Sequence, residues 1–187
     1  MSGRRTRRKP QGRLAAGAGR GFTLIELMVT VAVLAIIAGI AAPSFGRMIR
    51  HNRLVSAGNE MVAAVQTART EAVTRRTKGT LCPSADGATC SNAMGNRWIV
   101  RLDNGGATRD LTLPQDVRVS GSPQFVKNGN KFVFGPDGFI DNKTETALSV
   151  CHAGLTTDNA IDVRVSIVRV GSARRTAANC AAPADKG

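Results

Sequence analysis

Hydrophobic and polar positions fall into three successive regimes along this chain. From Phe22 to Phe45 nearly every position is apolar and Glu26 is the only formal charge. At about 1.5 Å per residue, a helix of this stretch is roughly 36 Å long, sufficient for a bilayer core of about 30 Å. After Pro43 the pattern becomes amphipathic: Leu54, Gly58, Met61, Val65, Ala68 and Ala72 recur at helical spacing, with Arg53, Glu60, Thr67 and Glu71 on another face. Gly79 is the expected helix end. Beyond it, Gly, Pro, Asn and Asp separate short runs rich in β-branched and aromatic residues.

The runs predict strands at Thr80 to Cys82, Arg97 to Leu102, Asp110 to Leu113, Val117 to Val119, Lys131 to Phe134, Ala147 to Cys151 and Ala160 to Val170. Turns are signalled by Asn104-Gly105-Gly106, Asn128-Gly129 and Pro136-Asp137-Gly138. In the last strand Ile161, Val163, Val165 and Ile167 alternate with Asp162, Arg164 and Ser166, and Val168 and Val170 then fall out of phase. A one-residue bulge near Ile167 or Val168 would return Val168 and Val170 to the core and align Arg169 with Arg164. The expected class is α+β: one long N-terminal helix whose second half packs on an antiparallel β head. The corresponding segments are 1–21, a basic leader; 22–45, an apolar helix half; 46–78, the amphipathic half; and 79–187, the head.

Charge adds a direction. The chain of 187 residues carries a formal +13, and Arg4, Arg5, Arg7, Arg8, Lys9, Arg13 and Arg20 all precede the apolar run, with no acid among them. Positive residues stay on the cytoplasmic side, which sends everything after Pro43 across the membrane. Without the leader the charge falls to a moderate +6, compatible with an anionic partner without requiring one. Four cysteines, Cys82, Cys90, Cys151 and Cys180, lie in the exported part without zinc-like spacing, so disulfides in an oxidising compartment are expected. Three connectivities are open; Cys82 with Cys90 and Cys151 with Cys180 is preferred because each closes a local loop.

A carboxylate at membrane depth costs on the order of 2.5 to 3.5 kcal/mol, so Glu26 needs a partner or a position near the headgroups. Gly21-Phe22-Thr23-Leu24-Ile25-Glu26, behind a basic leader and opening an apolar span, resembles the prepilin signature of type IV pilins and type II secretion pseudopilins. The resemblance implies cleavage by a prepilin peptidase between Gly21 and Phe22, methylation of the new amino terminus, and a helix-kinking role for Pro43. It also implies that the Phe22 ammonium of one subunit meets the Glu26 carboxylate of a neighbour, neutralising two charges that are costly to bury alone. Head-to-tail contacts of this kind give open helical assemblies. A secretory signal peptide cut near Ala42 would instead need a very long apolar region containing Glu26, with Pro43 beside the cut.

"LCPSADGATC" followed by Trp98-Ile99-Val100, and "FVFGPDGFI" from Phe132 to Ile140, look like segments of the FimT and GspH group of minor pilins and pseudopilins. The implied partners are other pilin or pseudopilin subunits, the prepilin peptidase and the bacterial inner membrane. The FimT branch carries a C-terminal Gly-Arg-x-Arg element that captures DNA during natural transformation. Here Gly171 and Arg174 match its ends and Ser172 replaces the first arginine, which leaves Arg164, Arg169, Arg174 and Arg175 as candidate contacts to double-stranded DNA. Such contacts would be made to phosphates and would be indifferent to sequence, since the chain has no tyrosine and one tryptophan for base stacking. No catalytic residues, metal or cofactor are expected: His51 and His152 belong to no triad or ligand spacing, Asp137 and Asp141 flank a turn, and no phosphate-loop lysine follows Gly135 or Gly138.

Overall fold

The computed structural model describes residues 21–185; the basic leader up to Arg20 lies outside them. The chain divides into two compact units, Met1–Ala42 and Pro43–Gly187. Helix α1, Leu24–Arg75, runs through both.

Within the first unit α1 is apolar on every face. Leu24, Ile25, Leu27, Val29, Leu34, Ile37 and Ile40 are all exposed. Its most apolar 18-residue window has a mean hydropathy of 2.6, and none of that window is buried. A helix that is hydrophobic all round has to be covered by lipid or by other helices.

The second unit is built on the other half of α1. Leu54, Ala57, Met61, Ala64, Val65, Ala68 and Ala72 are buried, a stripe of three- and four-residue steps. Among the described residues eight strands form two antiparallel sheets: β1 (Gly79–Pro83), β2 (Arg97–Leu102), β3 (Ala107–Thr112) and β5 (Phe132–Phe134) in the order β3-β2-β1-β5, and β4 (Val117–Gly121), β6 (Thr146–His152), β7 (Ala160–Val165) and β8 (Val170–Arg175) in the order β4-β6-β7-β8. A short helix α2, Pro123–Lys127, inserts Phe125 against Phe132, with ring centroids 4.8 Å apart.

Two glycines set how closely α1 approaches the sheets. A Cβ on Gly58 would sit 2.8 Å from Ile161 Cδ1 on β7, and one on Gly79 would sit 2.3 Å from the Ala68 carbonyl oxygen. Gly79 is therefore a strand residue and not the helix terminator. Helix α1 stops instead at Arg76, which adopts φ 50°. Its N–H donates to the Val73 carbonyl, and the Thr77 N–H reaches back to that of Ala72 at 3.1 Å. These two bonds make a Schellman closure in which an arginine occupies the usual glycine position.

The expected bulge in the last strand is absent. Ser166 to Arg169 form a tight turn: the Ser166 N–H donates to the Arg169 carbonyl at 2.9 Å, and Ser166 Oγ accepts from the Arg169 N–H at 3.2 Å. The out-of-phase segment is thus a hairpin joining β7 to β8, with Val165 opposite Val170 and Arg164 opposite Gly171. Val168, expected in the core, is 62% exposed at the hairpin tip. Serine supplies the local hydrogen bonds that let the chain reverse there, an alternative to continuing the strand.

Candidate functional site: the helix start and the C-terminal arginines

Gly21 and Phe22 precede α1 in non-helical conformation, and Phe22 is 81% exposed. Thr23 caps the helix: its Oγ1 accepts the Glu26 backbone N–H at 3.2 Å. Thr23-x-x-Glu26 is a capping-box sequence, and it places the carboxylate in the first turn, where the helix dipole favours negative charge. Glu26 is exposed and makes no ion pair among the described residues. Pro43 lies inside α1, at the boundary of the two compact units. Proline there withholds one backbone N–H from the helix ladder.

The four arginines do not converge on one surface. Ala160, Asp162 and Arg164 share one face of β7, and register places Arg175, Ala173 and Gly171 beside them on β8. Arg174 and Ser172 lie on the opposite face with Ile161 and Val163. Consecutive strand residues point apart, so Arg174 and Arg175 are on different faces.

Arg164 and Arg175 are held by intramolecular partners. Arg175 Nε donates to Asp162 Oδ2 at 2.8 Å and its Nη2 to the Ala181 carbonyl at 2.9 Å. Arg164 Nη1 donates to Glu145 Oε1 and to the Ala184 carbonyl, both at 3.1 Å. Asp162 is 2% exposed. These arginines therefore pin the C-terminal tail across the outer face of the β4-β6-β7-β8 sheet. The Cys151–Cys180 disulfide fixes the same tail, and Ser120 Oγ donates to the Cys180 carbonyl. Arg169 and Arg174 are exposed, and neither guanidinium is hydrogen-bonded among the described residues. Arg169 and Arg164 border a hollow of about 360 Å³ that Glu145 also lines.

The second disulfide, Cys82–Cys90, closes a loop organised by Asp86, whose Oδ1 accepts the backbone N–H groups of Ala88 and Thr89, each at 2.8 Å. Those bonds hold the Asp86 carboxyl well below the usual carboxylate range. The histidines are placed structurally. His51 is half-exposed on α1, whereas His152 is buried, with Nε2 3.2 Å from Asp116 Oδ2 and Nδ1 accepting from the Gly154 N–H. Arg53 from α1 donates to the same Asp116 oxygen at 3.0 Å, and this hydrogen bond is the main influence that lowers the Asp116 pKa. No cluster of three or more potential metal ligands occurs among the described residues.

Sequence reasoning missed the Thr23 cap, although the Thr-x-x-Glu signature was available. It also missed Asp162 as an anchor: alternation puts Asp162 on the outward face, and only the distant tail turns that face into an interior.

Comparison with known proteins gives two family matches. The model for the type II transport protein GspH matches residues 57–171, and that for the prokaryotic N-terminal methylation motif matches residues 18–42. Among solved structures, the chain is similar to the type IV minor pilin FimU of Pseudomonas aeruginosa, at 21% identity over 71% of this chain and 94% of that one, with a TM-score of 0.49. It is also similar to the minor pseudopilin EpsH of the Vibrio cholerae Type 2 Secretion System, at 14% identity over 64% and 94%, with a TM-score of 0.44. No curated protein matches the sequence.

Proposed function

The chain belongs to the family of the type II transport protein GspH, and from that premise we propose that it is a minor subunit of a type IV pilus or of a type II secretion pseudopilus. Its role is structural: to prime or cap a filament with its head against other minor subunits. The observation that carries this reading is the N-terminal methylation motif placed directly on an apolar helix whose exposed faces need cover. A prepilin peptidase cleaves after Gly21, and methylation follows at Phe22. Before assembly the first half of α1 spans the inner membrane, with the leader cytoplasmic and the head periplasmic. In the filament the Phe22 ammonium of one subunit meets Glu26 of another, so that the acid selects the stacking offset. Pro43 loosens α1 at the end of the apolar half.

Intact mass of membrane-extracted protein tests the processing step. Loss of Met1 to Gly21 plus one methyl group is expected; a retained leader, or a cut near Ala42, overturns it.

Capture of double-stranded DNA during natural transformation is a second reading, favoured by the exposed, unpaired Arg169 and Arg174. Arg164 and Arg175 contribute less because the tail and Asp162 already engage them. Titration with unrelated duplexes at several salt concentrations tests it. Two engaged phosphates give a slope in log K of roughly −1.8 per decade of salt, from about −0.9 per phosphate, and alanine at Arg169 and Arg174 flattens it. Binding that is absent or indifferent to these changes removes DNA capture and leaves the structural role.

A further inference from the structure

β8 is the last strand of its sheet and its outer edge is open. It pairs with β7 through six residues without a register shift. In an antiparallel pair, residues alternate between exchanging hydrogen bonds with the partner and pointing their N–H and C=O groups away. The bond from Ser166 N–H to the Arg169 carbonyl fixes that alternation. It directs the backbone groups of Val170, Ser172 and Arg174 outward, and no other element hydrogen-bonds them among the described residues.

The other free edges differ: at the end of β4, a Cβ on Gly121 would sit 2.4 Å from Phe125 Cδ1 and 3.0 Å from Met94 Cε, so side chains crowd it. Pairing of β3 with β2 shifts register between Val100 and Arg101, and β5 has three residues and is bridged beyond its end through Phe134 and Ile140. Among the described residues β8 has neither a bulge nor a segment hydrogen-bonded along its outer edge. Gly171, Ser172 and Ala173 are small and exposed, and nothing lies within 4 Å of where a Gly171 Cβ would be. An unguarded edge of this kind is a template for an added strand.

Its two ends differ in chemistry. At the hairpin end, Ile167 and Val168 are exposed beside the equally exposed Arg169, and Arg69 Nη1 donates to the Val168 carbonyl at 3.1 Å, tying the tip to α1. At the other end Arg174 is exposed without a carboxylate partner, and no acidic residue occurs between Asp162 and Asp185. We infer that the β8 edge binds an extended segment of another polypeptide, antiparallel, acidic where it meets Arg174 and apolar where it meets Ile167 and Val168. A second copy of β8 is a poor occupant, because antiparallel self-pairing adds arginines to arginines along a strand without acids. DNA phosphates can accept from the outward N–H groups but offer no backbone donor to the outward carbonyls of Val170, Ser172 and Arg174. Where the segment comes from rests on the filament reading, in which another minor subunit supplies it; the edge itself does not.

The test uses detergent-solubilised full chain and a fluorescent eight-residue peptide with two glutamates in its first half and two valines alternating with threonines in its second. Saturable binding is expected. Ser172→Pro removes an outward N–H without breaking a ladder bond and should weaken it at least tenfold, whereas Ser172→Ala leaves it unchanged. Arg174→Glu should weaken it about fivefold, and methylating the pairing amides of the peptide should abolish it whatever the fold of the variants. Absence of binding, binding untouched by proline or by amide methylation, binding of duplex DNA in place of the peptide, or a homodimer dissolved by Ser172→Pro would each overturn the inference. Cleavage after Gly21 does not involve β8, so the filament reading can fail or hold independently.

Discussion

At the scale of single residues, the chain keeps two features that local stability alone does not explain. Arg76 closes α1 in a left-handed conformation that costs an L-residue roughly 1 kcal/mol, and glycine there carries no such cost. Arg76→Gly should therefore raise stability by about 1 kcal/mol, read as a higher denaturant midpoint at unchanged slope; no change, or a loss, would show that the arginine side chain contributes more than its backbone costs. Glu26 is the second. The Thr23 cap and the helix dipole make the first turn of α1 a favourable place for a carboxylate in water. That local account does not explain why the turn is followed by an uncharged run up to Phe45. The proposed pairing with the Phe22 ammonium of a neighbouring subunit would account for both.

At the scale of elements, the disulfide-anchored tail decides how the β4-β6-β7-β8 sheet is covered. The Cys151–Cys180 bridge spans a sequence separation of 29, and chain-entropy reasoning assigns it about 3.5 kcal/mol, against about 2.5 kcal/mol for Cys82–Cys90 with a separation of 8. Replacing Cys151 and Cys180 together by serine should lower stability by about 3.5 kcal/mol in chemical denaturation, more than the same change at Cys82 and Cys90; the reverse order would contradict the assigned role of the tail. This same region marks where sequence reasoning stops. The helix stripe from Leu54 to Ala72 was legible because burial against a sheet imposes a period of 3.6, and β2 because its hydrophobic run is bounded by turn residues. The hairpin at Ser166 to Arg169 was not. Its tip is apolar, so Ile167 and Val168 read as a continuing strand, and the reversal depends on hydrogen bonds from one serine. The engagement of Arg164, a candidate DNA contact, was likewise beyond local patterns, since Glu145 and Ala184, 19 and 20 residues away, hold its guanidinium.

At the scale of the whole molecule, the two units have opposite requirements. The head buries its own core, with Trp98, Phe125, Phe132 and Phe134 almost fully enclosed, and needs no cover for it. The first half of α1 buries nothing within the chain, and its exposed leucines, isoleucines and valines need cover, supplied in the proposed function first by lipid and then by neighbouring subunits. Glu26 is the one charged position in that surface, and so the one able to fix the register of its packing. The direct measurement is the amount of Glu26→Gln protein in sheared filaments, compared with wild type at equal membrane level and equal cleavage after Gly21. A drop of at least tenfold is predicted, with the variant accumulating processed in the membrane. Incorporation equal to wild type would contradict the account.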